Sequence, residues 1–252
     1  MSSPILILLS LLGYGGLGIT DAASKFGPVS YVHFLFFHQV SLEYRGKHIC
    51  GGSIISPYYI VTAGQCLNGK SPDLLTVRAA FLDSPDHGQV HQVQNFTVHE
   101  EYKKIQYGIP VNDIAVVRVK EPITETRLSK PIGIYRKTDP EIQAGAVAYV
   151  NSWGENINKS TIPELQISSM PIISNETCNS ALKYFGGVPI GKICIPVGGK
   201  ALCQSDEGSA LTIRRRLAGI VSWTGRYCGD GFPEVYTRIS DYSDWIEKKT
   251  KV

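Results

Sequence analysis

The sequence predicts an all-β fold, and three observations carry that prediction. Short runs rich in Val, Ile, Tyr and Phe alternate with clusters of Gly, Pro, Asn and Asp, the pattern of many short strands joined by turns. Sustained helical periodicity is nearly absent before the C-terminal end. With 252 residues, 43% of them hydrophobic, the chain can bury a sizeable core, and all-β folds of this length commonly form one domain.

Taken in order, the chain opens on an apolar run from Ile5 to Leu12, followed by small residues at Gly16-Leu17-Gly18 and Ala22-Ala23. That order predicts a secretory leader over residues 1–23 and one domain over residues 24–252. Val40–Tyr44, Ser53–Ile55, Tyr59–Thr62 and Ile114–Val119 read as strands of a first half, with turns at Asn68-Gly69 and Glu121-Pro122. A divide falls near Ser129-Lys130-Pro131-Ile132. Beyond it, Ala146–Val150, Leu165–Ser168, Leu217–Trp223 and Glu234–Arg238 read as strands of a second half. One helix is predicted, over 241–250: Asp241 offers an N-cap, Tyr242, Trp245 and Ile246 share a face, and Lys248, Lys249 and Lys251 suit the negative end of the helix dipole.

Composition narrows the partners. A formal charge of +3 and a pI near 8.4 are too mild to argue for nucleic acid, and no later run approaches the roughly 18 apolar residues of a membrane helix. The six cysteines are an even count, which in a secreted chain reads as disulfides and leaves fifteen connectivities open. No Cys-x-x-Cys spacing occurs, and no metal or other cofactor is expected. Asn95, Asn158 and Asn175 begin Asn-x-Ser/Thr acceptors for glycosylation. The run Arg214-Arg215-Arg216 lies between two strands and reads as a solvated turn rather than an anion site.

Four further stretches are more specific together than apart: Cys50-Gly51-Gly52-Ser53-Ile54-Ile55, Ser222-Trp223, Pro233-Glu234-Val235-Tyr236-Thr237-Arg238-Ile239 and Asp244-Trp245-Ile246. In order and spacing, over roughly residues 36–249, they resemble the chymotrypsin/trypsin family. The resemblance implies two antiparallel six-stranded barrels with the site between them. The first is expected over about 26–130, the second over about 131–240, and a terminal helix over about 241–250. It also implies the pairings Cys50–Cys66, Cys178–Cys194 and Cys203–Cys228.

The same resemblance locates a degenerate active site. Where the family carries Thr-Ala-Ala-His-Cys, this chain reads Thr62-Ala63-Gly64-Gln65-Cys66, so the general base is replaced by Gln65. Where it carries Gly-Asp-Ser-Gly-Gly-Pro, this chain reads Ser205-Asp206-Glu207-Gly208-Ser209-Ala210, so Glu207 stands in the nucleophile's place and Ser205 at the oxyanion-hole position. Only Asp113 of the triad remains, as a hydrogen-bonded remnant. A serine hydroxyl needs a base within reach to become a nucleophile, and an amide neither takes that proton nor returns it to the leaving amine. An acyl-glutamate would be an anhydride, so Glu207 is expected either to occupy the oxyanion pocket or to point to solvent.

Binding positions differ too. Ala201 matches the floor of the specificity pocket, Thr224 replaces the glycine that lets substrate backbone approach, and Glu234 stands on the pocket wall, where it either fills the pocket or places an uncompensated carboxylate in it. Asp206 matches the aspartate that receives the new N-terminal ammonium on activation, but neither Gly13-Tyr14-Gly15-Gly16 nor Lys25-Phe26-Gly27-Pro28-Val29 supplies the family's N-terminal motif in place. His48 matches the position that can hold this aspartate in a zymogen, so a zymogen-like lock is expected. In sum, the chain resembles secreted, non-catalytic serine protease homologues of the arthropod type, monomers acting through an extracellular protein partner as cofactor, decoy or regulator. The competing expectations are a weak or atypical hydrolase of the same fold and a small-ligand carrier.

Overall fold

The computed structural model describes residues 37–80, 88–152, 166–196, 207–223 and 231–252. The first half contributes β1 (Gln39–Tyr44), β2 (Lys47–Ser56), β3 (Tyr59–Thr62), β4 (Leu75–Ala79), β5 (Gln89–Val98), the two-residue β6 (Lys103–Lys104) and β7 (Pro110–Val111), and β8 (Ala115–Val119). Six of these close a barrel in the order β1-β2-β3-β8-β5-β4, while β6 and β7 form a separate ribbon. Leu42, Ile54, Leu75, Val77 and Val117 fill the barrel and are buried. They alternate with outward residues along each strand, as in β4, where Leu75, Val77 and Ala79 point in.

The second half contributes β9 (Val147–Ser152), β10 (Gln166–Pro171), β11 (Lys192–Ile195), β12 (Ala210–Ile213), β13 (Arg216–Trp223) and β14 (Glu234–Arg238). These form a six-stranded sheet in the order β10-β9-β12-β13-β14-β11, and an antiparallel bridge from Ile173 to Cys194 brings its two edges together. Its core is Ile193, Ile195, Leu211, Ala218 and Tyr236. A third cluster, with Ile55, Val61, Ile114, Val116, Leu217, Ile220 and Ile239, lies between the halves.

Among the described residues two α-helices complete the fold. α2 (Ser243–Thr250) starts two residues later than the sequence suggests: Asp241 lies in a preceding 3-10 turn (Ile239–Tyr242), and the cap position is Tyr242 with no side-chain bond. The apolar face is as expected, with Ile246 buried in the inter-barrel cluster. α1 (Asn175–Ala181) was not legible from periodicity because it is too short; its signal is Ser174, whose hydroxyl accepts from Thr177 N at 3.0 Å as an N-cap. Cys178–Cys194 pins α1 to β11, and Cys50–Cys66 ties β2 to the turn after β3. Cys203 and Cys228 lie outside the described residues.

The halves meet through polar as well as apolar contacts. Asn151 Nδ2 donates to Gln39 Oε1 at 2.8 Å, and Gln39 Nε2 donates to Ser209 Oγ at 3.1 Å, all three residues buried. Gly51 lets the backbones touch. Its N–H donates to Glu207 O at 2.8 Å, and a Cβ there would sit 2.1 Å from Ser209 Oγ.

Candidate functional site

The cleft between the halves is assembled from turns that the two barrels hold rigidly. Gln65 lies in a 3-10 turn (Gly64–Cys66) that leaves β3 and is fixed by Cys50–Cys66. Asp113 precedes β8, oriented by Asn112, whose left-handed backbone (φ 50°) is one that asparagine tolerates better than most residues. Asn112 is itself anchored, accepting from Tyr242 Oη at 2.9 Å and donating to Glu101 O at 3.1 Å. Glu207 stands half-buried on the turn entering β12, next to Gly208 at φ +81°. Any side chain at Gly208 would collide, since a Cβ would lie 2.3 Å from Thr62 Oγ1 and 2.4 Å from Gly51 O.

Gln65 and Asp113 meet. Asp113 is fully buried, and its Oδ1 accepts from the Gln65 backbone N–H at 2.8 Å, while its Oδ2 accepts from Gln65 Nε2 at 3.1 Å. Gln65 Nε2 also donates to the carbonyl of Ser222. The side-chain amide thus spends its donors on the carboxylate and on the β13 backbone. It carries no group that titrates near neutrality.

Behind Asp113 lies a residue that the sequence reading passed over, Lys192 on β11. Its side chain is 3% exposed, and Nζ donates to Ser222 Oγ at 2.7 Å and to Thr237 Oγ1 at 3.0 Å. Those hydroxyls donate onward, Ser222 Oγ to Asp113 Oδ2 at 2.7 Å and Thr237 Oγ1 to Asp113 O at 2.9 Å. Burial pushes the Lys192 ammonium down to about 8 against the pull of Asp113. Burial likewise raises the Asp113 carboxyl, opposed by Lys192 and by the hydrogen bonds from Ser222 and Gln65. The available signal was a lone charge in the apolar run Ile190-Gly191-Lys192-Ile193-Cys194-Ile195. Its meaning depends on Ser222 and Thr237, which only the fold brings beside it.

Glu234, expected on the pocket wall, is buried, and its Oε2 accepts from Tyr236 Oη at 2.8 Å. The two sit at i and i+2 on one face of β14, which brings the Tyr236 hydroxyl to the buried carboxylate. An aromatic wall follows: Phe185 packs edge-on against Phe232 at 5.1 Å, Tyr107 at 6.1 Å and Trp223 at 6.2 Å. Tyr107 is 65% exposed, and Tyr184 and Ile190 nearby are exposed as well.

His48 Nδ1 lies 2.7 Å from Ser41 Oγ. Ala201, Ser205, Asp206, Thr224 and the acceptor Asn158 fall outside the described residues, whereas Asn95 and Asn175 are exposed. Arg214 and Arg215 are exposed at the β12–β13 turn, and Arg216 pairs with Asp139 at 2.7 Å. Among the described residues no three His, Cys, Asp or Glu side chains are gathered as a metal site, and no helix is long and apolar enough to cross a membrane.

Two β-barrel-like sheets enclosing this cleft, with the buried aspartate against the turn after β3, define a chymotrypsin-like scaffold. The comparisons agree: the chain belongs to the trypsin family, whose profile matches residues 30–246. It is 35% identical to Hypodermin-B of Hypoderma lineatum over 217 residues, covering 84% of this chain and 82% of that relative. It is 32% identical to Trypsin 5G1 of Aedes aegypti over 225 residues, covering 88% and 81%. Among solved structures it is similar to neuropsin, a serine protease expressed in the limbic system of mouse brain. The TM-score is 0.75 at 26% identity, covering 86% of this chain and 95% of that one.

Proposed function

We propose that this chain is a secreted, non-catalytic member of the trypsin family that acts by binding an extracellular protein partner, as a cofactor, decoy or regulator of a protease cascade or as a component of a secretion. The observation that carries this reading is the Gln65 side chain, whose amide donates to both Asp113 and the Ser222 carbonyl. Peptide hydrolysis requires a group there that accepts a proton and gives it back, and an amide does neither. Glu207 in the nucleophile's place adds to it, because a carboxylate without an intervening imidazole offers no stable acyl intermediate. The buried Glu234–Tyr236 pair narrows the room for a substrate side chain, and the aromatic wall with exposed Tyr107 and Tyr184 offers rigid contact area for a protein. A zymogen-like lock, with His48 holding Asp206, belongs to the same reading.

The test is turnover of a broad peptide library and labelling by a serine-directed fluorophosphonate, applied to the purified protein and to a Gln65→His, Glu207→Ser, Ser205→Gly variant. The natural chain is expected to be silent in both assays. The names of its relatives favour a second reading, a weak or atypical hydrolase. Turnover by the natural chain that disappears in Glu207→Ala would establish that reading and overturn ours.

A further inference from the structure

The hydrogen bonds behind Asp113 have only one consistent direction. Ser222 Oγ and Thr237 Oγ1 each spend their single hydrogen on Asp113, at 2.7 and 2.9 Å. Each then has lone pairs facing Lys192 Nζ, at 2.7 and 3.0 Å, and an ammonium has donors for both. From the cleft side the carboxylate receives only uncharged donors, the backbone and side-chain N–H groups of Gln65. A buried carboxylate held by neutral groups alone pays a heavy desolvation penalty, so the location of its counter-charge matters.

We infer that Lys192 is the internal counter-cation of Asp113, a positioning residue that acts through Ser222 and Thr237 and does the electrostatic work a protonated base would do from the cleft side. This rests on the reading that Gln65 supplies no base. It extends that reading in two directions. First, the ammonium fixes Ser222, whose carbonyl takes the Gln65 amide, and so holds the β13 edge at Ser222-Trp223 in shape without a histidine. Second, a histidine restored at position 65 meets a carboxylate that is already neutralised. Its imidazolium gains little, so its basicity stays low and reactivation requires replacing Lys192 as well.

Among the described residues, the other charged and titratable groups facing this network are Arg238, whose Nη2 donates to the Lys192 carbonyl at 3.3 Å, Lys104, which pulls the Asp113 carboxyl down weakly, and the phenols of Tyr102 and Tyr242, both pushed up to about 12 by burial and by charges that include Asp113. Neither phenol changes charge in the range tested below. Lys104 is exposed and is unaltered in every variant compared.

The decisive measurement is the NMR titration of the imidazole in Gln65→His beside Gln65→His, Lys192→Met, from pH 4 to 9. The added histidine is expected to titrate lower by about one unit or more when Lys192 is present, the scale of one unit charge at short range. Equal titration in the two variants overturns the inference. Should Lys192→Met not fold, the unaltered protein carries the test through isotope-labelled lysine side chains. One lysine is expected to titrate near 8 and to fall further in Asp113→Asn, and no change in Asp113→Asn overturns the inference. Failure of the proposed function has a different signature, turnover by the natural chain, and leaves both titrations as they are.

Discussion

Gln65, Asp113 and Lys192 belong to one chain of polar contacts about a buried carboxylate, running through Ser222 and Thr237. Removing either end of the hydroxyl-bridged pair leaves a charge buried against its former partner's cavity. Lys192→Met and Asp113→Asn are each expected to lower unfolding free energy at pH 7 by about 3 kcal/mol, and the double variant by clearly less than the sum, in urea titrations analysed as a double-mutant cycle. The pH sign follows from the direction of the shift. Lys192 titrates near 8 in the fold and near 10.4 unfolded, so the unfolded chain holds the extra proton and stability rises between pH 8 and 10. That rise is expected to vanish in Lys192→Met. At Gly208, a Cβ would meet Thr62 Oγ1 and Gly51 O in a left-handed backbone, so Gly208→Ala is expected to cost about 2 kcal/mol or more, read from the shift in urea midpoint.

At the scale of elements, β1, β3, β8, β13 and β14 match within a residue the runs of Val, Ile, Leu, Tyr and Trp from which they were read. β4 and β5 were not read, because their outward positions carry Thr, Arg, His and Gln that break the apolar run while Leu75, Val77 and Val93 still point in. β1 and β4 are held together by a pair equally invisible in sequence, Glu43 with Arg78 at 2.6 Å, whose side chains are only 7% and 17% exposed. Arg78→Ala strands the Glu43 carboxylate and is expected to cost about 3 kcal/mol of stability by denaturant titration, whereas Arg78→Ala, Glu43→Gln should recover part of it. α1 depends on its cap. Ser174→Ala is expected to cost about 1 kcal/mol, measurable in the same titration, with the disulfide to β11 keeping the segment docked.

For the whole molecule, acid is the expected stress. His38, just before β1, is 2% exposed, and burial pushes its imidazole down to about 3. The unfolded chain binds a proton below about 6.5 that the native state refuses until near 3, so stability falls as pH drops through that window. At about 1.4 kcal/mol per unit, the loss reaches about 5 kcal/mol at the acid end. Denaturation curves at pH 7, 5.5 and 4.5 are expected to show this slope in the natural chain and a weaker one in His38→Phe. The inter-barrel chain Asn151-Gln39-Ser209 works at the same scale, since it fixes one half against the other where the site lies between them.

The sequence by itself determined the fold class and which residues stand at the motif positions, and its resemblance to the family implied the pairings Cys50–Cys66 and Cys178–Cys194 that the structure shows. Each of these is written in local pattern or in motif spacing: Gln65 beside Cys66 and Glu207 beside Gly208 are legible because the surrounding residues are those of the family. Only the tertiary structure decided what these residues do to one another. Lys192 is 79 positions from Asp113, counting 192 − 113, and Ser222 and Thr237 lie on two further strands, so their meeting depends on β11, β13 and β14 packing against the turn before β8. A charge in an apolar run is a solvated edge or an internal counter-ion according to what the fold places beside it, and burial supplies the low dielectric that makes the difference matter.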